Sequence, residues 1–235
     1  MVSESDMIEQ QLQASSGVVP VLSLEDRVVL PHALQLLRIT APLDRQLVTD
    51  SLSAGSLIAV DLQQICPRTG NALQPGSEIR PVCLATIEAP CQLESGQYSL
   101  LVRGLCRARA VTLLNSEAPY RTALVELKPD YYPAEPVIHR EHRLLELIEH
   151  YSRIFMDQVS EPTYFHQLHR EIELGVLCDT LAGSLSLESP WQRLILAEQD
   201  VDQRSDLLLN FLKCIHRQQQ RDPAAAGLSN QFSLN

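Results

Sequence analysis

Lysine and tryptophan are scarce in this sequence, and basic side chains are fewer than acidic ones. It contains two lysines, Lys128 and Lys213, and a single tryptophan, Trp191. Its 19 Lys and Arg side chains are outnumbered by 29 Asp and Glu, which gives a formal net charge of −10. The acidic excess is shared equally between residues 1–135 and 136–235, so neither half is basic. Because affinity for nucleic acid comes mainly from Lys and Arg that neutralise phosphates, no nucleic-acid partner is expected.

The motifs of several enzyme classes are also missing. Neither lysine lies in a G-x-x-x-x-G-K-[ST] phosphate-binding loop, and no G-x-S-x-G nucleophile elbow occurs. Lys128 ends a strand pattern beside Pro129, and Lys213 lies within an amphipathic helix pattern, so neither has an oxyanion-hole motif beside it. The sequence therefore predicts no catalytic residue, no cofactor and no enzymatic activity.

Metal-ligating residues do not form a recognisable site pattern. None of the six cysteines belongs to a C-x-x-C pair. His139 and His142 share a helix face at a spacing of three residues, and His166 and His169 repeat that spacing. Arg, Glu and Gln surround these histidines, which is typical of a solvated helix face, so no metal site is predicted.

Long apolar runs are absent too. The first residues, MVSESDMIEQQLQASSG, are polar and lack the apolar segment of a secretory signal. No run approaches the roughly 20 apolar residues that a membrane-spanning helix needs. The cysteines lie mostly within apolar runs, as is typical of buried, reduced thiols. We therefore expect a soluble, cytoplasmic protein with no membrane partner.

The pattern that is present changes once along the chain. From about Val18 to Lys128, short β-branched or alternating runs are separated by turn residues, with one helical stretch, APLDRQLVTDSL. Several short strands with one helix predict a β-barrel. The segment KPDYYPAEPV is a connector, since its three prolines disfavour both a helix and a central strand. Helical periodicity follows from about residue 137.

These patterns predict an α+β protein in four segments. We expect a disordered or loosely helical leader at 1–16, a barrel at 17–130, a helical bundle at 131–218 and a disordered tail at 219–235. Within the bundle, Glu161-Pro162 predicts a helix break. Two further motifs predict helix starts, with Ser189 and Asp200 as the capping residues: Ser189-Pro190-Trp191-Gln192 and Asp200-x-x-Gln203.

Aromatic residues are concentrated in the second part of the chain, where eight of the ten Phe and Tyr lie after residue 130. Four of them lie at the ends of predicted elements rather than on apolar helix stripes: Tyr131, Tyr132, Tyr164 and Phe165. Such rings could line a groove for an apolar polypeptide, or they could pack between the two parts of the chain.

The stretch LLVRGLCRARAV places three arginines around one glycine. Gly104 separates two apolar runs and predicts a turn or bulge within a hairpin of paired strands. Arg107 is expected to form an ion pair that fixes the barrel, with Arg103 and Arg109 exposed. The hairpin is therefore predicted to be structural rather than an active site.

Taken in order, these motifs resemble the N-terminal domain of ATP-dependent Lon proteases. The strand part of the match runs from VPVLSLEDRVVLPHALQLLRI through LDRQLVTDSL, SLIAVDLQ and CLATIEAPCQLESGQYSLLVRGLCRARAV to YRTALVEL. Gly104 and Arg107 fall on the family's pattern of an apolar strand, Gly, two residues, Arg and a second apolar strand. The helical part matches at five polar and turn positions: Asp179, Leu185, Gln192, Asp200 and Arg204.

The resemblance covers roughly residues 18–216 and implies a PUA-like pseudo-barrel followed by a helical bundle that binds protein substrates. Lon proteases continue into an AAA+ ATPase and a Ser-Lys peptidase, so the chain resembles a stand-alone substrate-binding domain. It departs from the family in the insert PRTGNALQPGSEIRP, in Pro31-His32 where a proline-glycine turn is usual, and in its short polar tail. The tail argues against direct coupling to an unfoldase.

Three functions remain open from the sequence. The first is recognition of unfolded or damaged polypeptide through apolar surface between barrel and bundle, with Tyr131, Tyr132 and residues near Tyr164 in the groove. The second is a regulatory protein that binds one dedicated folded partner, such as a protease or a second copy. The third, by fold analogy alone, is a small-molecule or RNA reader, against which the acidic charge and single tryptophan argue.

Overall fold

The computed structural model of the chain describes residues 4–62, 80–114, 118–154, 172–185 and 187–221. These ranges contain six strands and six helices. In chain order the elements are α1 (Glu4–Ala14), β1 (Val18–Leu24), β2 (Leu34–Ile39), α2 (Pro42–Ser53), β3 (Leu57–Leu62), β4 (Arg80–Gln92), β5 (Tyr98–Leu114), β6 (Thr122–Leu127), α3 (Arg140–Ile154), α4 (Leu174–Ser184), α5 (Ser189–Ala197) and α6 (Val201–Arg221). The predicted α+β class is confirmed.

Five of the strands close into a ring, which we call the barrel. β5 pairs with β4, β4 with β3, β3 with β1, β1 with β6, and β6 pairs again with β5. Only the β1–β3 pair is parallel. β2 lies outside the ring, where it pairs antiparallel with the first part of β5 and ends the sheet on that side. The ring matches the β-barrel that the sequence predicts.

One hydrophobic core cluster joins α1 to the strands of the barrel. Ile8 and Leu12 lie one helical turn apart on α1 and are 5 % and 8 % exposed. They pack with small and branched side chains of the strands, namely Val19, Val21, Ala59, Val82, Leu84, Ala108, Ala110, Ala123 and Val125. Of the two states expected for the leader at 1–16, the structure shows the helical one over Glu4–Ala14, and the helix is packed rather than loose. Burying these two side chains removes apolar area from water and holds the helix in place.

The stretch LLVRGLCRARAV does not form a hairpin. β5 continues without interruption from Tyr98 to Leu114, with Gly104 near its middle. The register against β4 slips here, since Leu84 pairs with Cys106 whereas Ala85 pairs with Gly104. The predicted turn is therefore wrong, because both halves of the stretch pair with β4. The predicted bulge is present at the register shift.

The chain divides into two compact units that alternate along the sequence. The first unit takes residues from Met1–Asp130 and Ala182–Gln199, and the second from Tyr131–Leu181 and Asp200–Asn235. The sequence analysis assigned 182–199 to the helical bundle, whereas the structure groups this segment with the strands. One contact that explains the grouping is a hydrogen bond of 2.9 Å from the backbone N–H of Val28 to Oε1 of Gln192.

The second unit is built around α3 and α6, which pack against each other. Leu144, Leu147 and Ile148 form the buried face of α3. Leu208 and Leu212 of α6 are fully buried. The helical periodicity predicted for these two segments is therefore present in the structure.

The starts of α5 and α6 differ in how well the sequence predicts them. Asp200 caps α6 as predicted, since its Oδ1 accepts hydrogen bonds from the N–H groups two and three residues later, at 2.9 and 3.2 Å. Ser189 does not cap α5, because the N-cap position is Glu188. The Ser189 hydroxyl instead donates to the carbonyl oxygen of Asp26 at 3.3 Å.

A buried ion pair lies inside the second unit. The Nε of Arg204 is 3.5 Å from Oδ1 of Asp179, and both side chains are 0 % exposed. The predicted helix break at Glu161-Pro162 lies outside the described residues. The disordered tail expected at 219–235 begins too early, because α6 continues to Arg221, and the rest of that segment lies outside the described residues. Within the ranges that the structure describes, no helix combines the length and apolar character needed to cross a membrane.

Candidate functional site

Gly104 is a point of close backbone contact within the first unit. A Cβ atom at this position would lie 2.0 Å from the carbonyl oxygen of Leu30 and 3.1 Å from Sγ of Cys83. The Gly104 N–H donates to the carbonyl oxygen of Ala33 at 3.0 Å, and its own carbonyl accepts from the N–H of His32 at 2.9 Å. Glycine is therefore required by the approach of the 30–33 loop and not by an unusual backbone conformation.

Arg107 is the buried member of the three arginines. It is 4 % exposed, and its Nη1 lies 3.2 Å from Oδ1 of Asp130 while its Nη2 donates to the carbonyl oxygen of Ile195 at 3.3 Å. All three residues belong to the first unit. The guanidinium thus holds residues from three separate parts of the chain, which is a structural role.

The two other arginines of the stretch form ion pairs across neighbouring strands. Arg103 pairs with Glu88 of β4, and Arg109 pairs with Glu126 of β6 at 2.7 Å. Arg109 and Lys128 both donate to the Glu126 carboxylate, which lowers its pKa. These contacts lie on the solvent side of the strands and provide no enclosed reactive group.

Tyr131 is the more exposed of the two connector tyrosines. Its side chain is 58 % exposed, which is unusual for a large apolar ring in the described part of the chain. The backbone is nevertheless fixed, since the Tyr131 carbonyl accepts a hydrogen bond of 3.1 Å from the N–H of Val201. The ring is therefore held in solvent at a defined position of the second unit.

Tyr132 is half-buried in a polar network of the second unit. Its hydroxyl donates to Oε2 of Glu173 at 3.2 Å and accepts from the N–H of Gly175 at 3.3 Å. The guanidinium of Arg140 lies 5.2 Å from the centre of the Tyr132 ring, in cation–π geometry. Asp202 hydrogen-bonds this guanidinium at 2.7 Å and raises its pKa, so the cation over the ring is permanent.

A cavity of about 390 Å³ lies beside Tyr132. Its apolar wall is formed by Leu144, Ile172 and Leu174. Its remaining lining residues are Tyr132, Arg140, Glu141 and Glu173. An apolar pocket floor with a charged rim suits a side chain of a polypeptide, because the ring and the leucines supply contact area and the rim supplies hydrogen bonds.

Only some of the other predicted site residues belong to the described ranges. Tyr164 and Phe165 lie outside the described residues, as do His166 and His169. His139 accepts at Nδ1 a hydrogen bond from the backbone N–H of His142 at 3.4 Å, a contact typical of a helix start. Across the described ranges no three His, Cys, Asp or Glu side chains form a metal-binding group.

The sequence analysis did not single out the exposed leucines of β2. Leu34 and Leu36 are 59 % and 60 % exposed, whereas Leu37 and Ile39 are each 4 % exposed. In the strand sequence LQLLRI both faces contain leucine, so alternation alone does not show which face is buried. Pairing with β5 determines the faces, and this pairing is a long-range contact that the local pattern does not contain.

Two solved structures that share this fold are described as Lon N-terminal domains. The N-terminal domain of Mycobacterium avium complex Lon protease superposes with a TM-score of 0.63 at 19% identity, covering 83% of this chain and 98% of that one. The Lon N-terminal domain protein from Xanthomonas campestris gives a TM-score of 0.58 at 21% identity, covering 82% and 97%. The fold class is therefore that of Lon N-terminal domains.

Sequence comparison defines the family. The family model described as "ATP-dependent protease La (LON) substrate-binding domain" matches residues 18–214, and the chain belongs to this family. The resemblance predicted from the ordered motifs is thus confirmed.

Two curated relatives are similar over most of this chain. Lon protease of Heliobacterium modesticaldum is 24% identical over 214 residues, which are 90% of this chain and 25% of that protein. Lon protease of Roseiflexus castenholzii is 26% identical over 200 residues, 83% of this chain and 24% of that protein. The chain therefore spans about a quarter of the length of the curated relatives it matches.

Proposed function

We propose that this chain is a non-catalytic recognition module that binds unfolded or damaged polypeptide. The match of residues 18–214 to a substrate-binding domain carries this proposal. A protease acts on polypeptide, and the matched model describes the substrate-binding domain of such a protease, which supports a role in binding polypeptide.

The surroundings of the two lysines support a role without catalysis. A Ser-Lys peptidase needs a lysine amine beside a serine hydroxyl. Lys128 instead donates to Glu126 at 2.9 Å, and Lys213 donates to Glu146 at 2.9 Å. In the described structure each amine is thus engaged with a carboxylate on a strand or helix surface.

The connector tyrosines are proposed as contact residues for the polypeptide. Tyr131 offers an exposed ring on a fixed backbone, and the cavity beside Tyr132 offers an apolar wall of Leu144, Ile172 and Leu174. Unfolded chains differ from folded ones mainly in their exposed apolar side chains, which an exposed ring and the apolar wall of a cavity can each bind. Tyr164 and Phe165 remain further candidates from the sequence alone.

The test is a fluorescence anisotropy titration of a labelled, permanently unfolded protein, with its folded parent as the reference. We expect micromolar binding of the unfolded form only. The double variant Tyr131→Ser/Tyr132→Ser should weaken binding, whereas Val137→Ser, which changes a connector side chain that is 91 % exposed, should not. Unchanged binding by the tyrosine variant would remove these residues from the site.

The alternative of one dedicated folded partner predicts a different result in the same assay. In that case neither the unfolded protein nor its folded parent would bind, and co-purification from the native cell would recover a single protein. An RNA reader would instead show a salt-sensitive mobility shift with structured RNA at low salt.

A further inference from the structure

We propose that the outer edge of β2 binds an extended polypeptide by strand addition. The bound polypeptide would carry apolar residues at two alternate positions and an acidic residue at the next alternate position. The inference rests on the proposed function in taking polypeptide as the ligand. It adds a second binding surface, in the first unit, and the sequence pattern which that surface selects.

The backbone of β2 provides the first half of the argument. β2 is the last strand of the sheet and pairs only with β5 within the described part of the chain. In an edge strand every second residue directs its N–H and C=O away from the sheet, where they can pair with another extended chain.

Protein edges are usually protected against such pairing by charged side chains, above all lysine, by proline or by a bulge. β2 carries a single charge, Arg38, at the end of its outward row. β2 contains no lysine and no proline, and the register shifts in the sheet occur in the β4–β5 and β5–β6 pairs instead.

The side chains of β2 determine what an added strand must carry. Leu34 and Leu36 point outward and are 59 % and 60 % exposed. Leu36 lies directly opposite Leu101 of β5, so these side chains share one face of the sheet. Apolar residues at two alternate positions of an incoming strand would cover this leucine face, which we define as Leu34, Leu36 and Leu101.

Arg38 continues the same face and adds charge selectivity. It follows Leu36 by two residues, so its side chain is next along the outward row. Its guanidinium donates to Oε1 of Gln97 at 3.3 Å and has no ion-pair partner among the described residues, whereas Arg103 on the other side of the face pairs with Glu88. A carboxylate of the added strand could therefore form an ion pair with the Arg38 guanidinium.

The charge pattern also excludes a second copy of β2 as the occupant. β2 has the sequence LQLLRI and carries no acidic side chain. Antiparallel pairing of two β2 strands about Leu36 would place each Arg38 opposite a Leu34 and would leave both guanidinium groups without a carboxylate. The occupant that fits is therefore a different chain that supplies the acidic residue.

The experiment uses the full chain and two fluorescein-labelled peptides, Thr-Leu-Thr-Leu-Thr-Glu-Thr and its reversed sequence, which correspond to parallel and antiparallel addition. We expect saturable binding of one of the two. The variant Leu34→Thr/Leu36→Thr should weaken it at least about tenfold, since two apolar contacts are lost. Leu124→Thr, which replaces a 38 % exposed leucine on β6, is the matched control and should bind within about twofold of the wild type.

Two further probes separate strand addition from simple apolar adhesion. Peptides N-methylated at one alternate set of amides should lose binding, while peptides methylated at the other set should retain it. Arg38→Gln should weaken the glutamate peptide about two- to fivefold and leave a glutamine version of the peptide unaffected. Equal effects of both methylation sets, or full binding by Leu34→Thr/Leu36→Thr, would overturn the proposal.

Self-association is the remaining outcome. Three results together would refute the proposal: the wild-type chain dimerises in sedimentation, Leu34→Thr/Leu36→Thr abolishes the dimer, and neither peptide binds. In that case β2 is an interface between copies of the chain. The proposed function is judged separately, because Tyr131→Ser/Tyr132→Ser leaves the β2 edge intact. Loss of unfolded-protein binding in that variant with retained peptide binding would distinguish the two surfaces.

Discussion

Gly104 and Leu30 are in direct backbone contact, with the position of a Gly104 Cβ only 2.0 Å from the Leu30 carbonyl oxygen. The contact joins the middle of β5 to a loop 74 residues earlier in the chain. Gly104→Ala should therefore destabilise the first unit by about 2–4 kcal/mol, because the loop must move away from β5 and the two hydrogen bonds around it are strained. Urea denaturation followed by circular dichroism measures the loss.

Ser99→Ala is the control for the glycine prediction. Ser99 lies on the same strand on the outward face, where Cβ atoms are already accommodated. We expect its midpoint to match the wild type. A Gly104→Ala protein with an unchanged midpoint would mean that the 30–33 loop adjusts without cost.

The buried and exposed arginines of β5 should respond differently to truncation. Arg107→Leu leaves the Asp130 carboxylate and the Ile195 carbonyl without their donor, and should cost about 3 kcal/mol of unfolding free energy. Arg109→Leu removes an exposed ion pair with Glu126 and should leave the midpoint nearly unchanged. Equal midpoints for the two variants in thermal or chemical unfolding would contradict the assignment of Arg107 to the core.

The pair Asp179 and Arg204 is fully buried, so the two single variants and the double variant should not be additive. Asp179→Leu alone should cost about 3–5 kcal/mol because it leaves a buried cation, and Arg204→Met alone should cost a similar amount. The double variant should recover much of the loss, since two apolar side chains replace two desolvated charges. A double-mutant cycle in urea measures this coupling, and strict additivity would refute it.

His150 of α3 should make the second unit less stable in mild acid. Burial lowers the pKa of His150, and the nearby cations Lys213 and Arg153 lower it further. The carboxylates Glu146 and Glu149 raise this pKa, but the lowering effects are larger. The unfolded chain therefore binds a proton more readily than the native state. This contribution to stability is present above the unfolded pKa of about 6.5 and is lost as the pH falls below it.

The measurement is the unfolding midpoint between pH 7.5 and pH 5 for the wild type and two histidine variants. His150→Gln should reduce the slope of stability against pH in this range. His142→Gln, at an exposed position of the same helix, is the control for replacing a histidine on this helix. If both variants retain the wild-type slope, other groups determine the acid sensitivity.

Elements that depend on residues close together in the sequence could be predicted. Examples are α3 and α6, from their apolar periodicity, and the start of α6, from its capping residue Asp200. The continuous β5 could not, because the role of Gly104 depends on Leu30, which is distant in sequence. A loose helix was one of two states expected for the leader, but the packing of the helix at 4–14 was not predicted, since Ile8 and Leu12 are buried only by the barrel side chains they contact. Local patterns do not contain these long-range partners.

The candidate site was predicted only in part for the same reason. The position of Tyr131 and Tyr132 after Pro129 could be read from the connector pattern, whereas the cavity depends on Ile172, which precedes α4, and on Leu174, the first residue of α4. The exposed face of β2 was not predicted, because leucine occupies both faces and the neighbouring strand determines which is buried.

The order of the two units along the chain has a consequence for synthesis on the ribosome. The first unit needs Ile195 to accept from Arg107 and Gln192 to accept from Val28, yet both follow most of the second unit in the sequence. The barrel strands therefore emerge long before the segment that completes their hydrogen bonds. Until translation has passed Gln199, the first unit is incomplete, and the Val28 N–H and the Arg107 guanidinium lack these acceptors while chaperones and proteases have access to the chain.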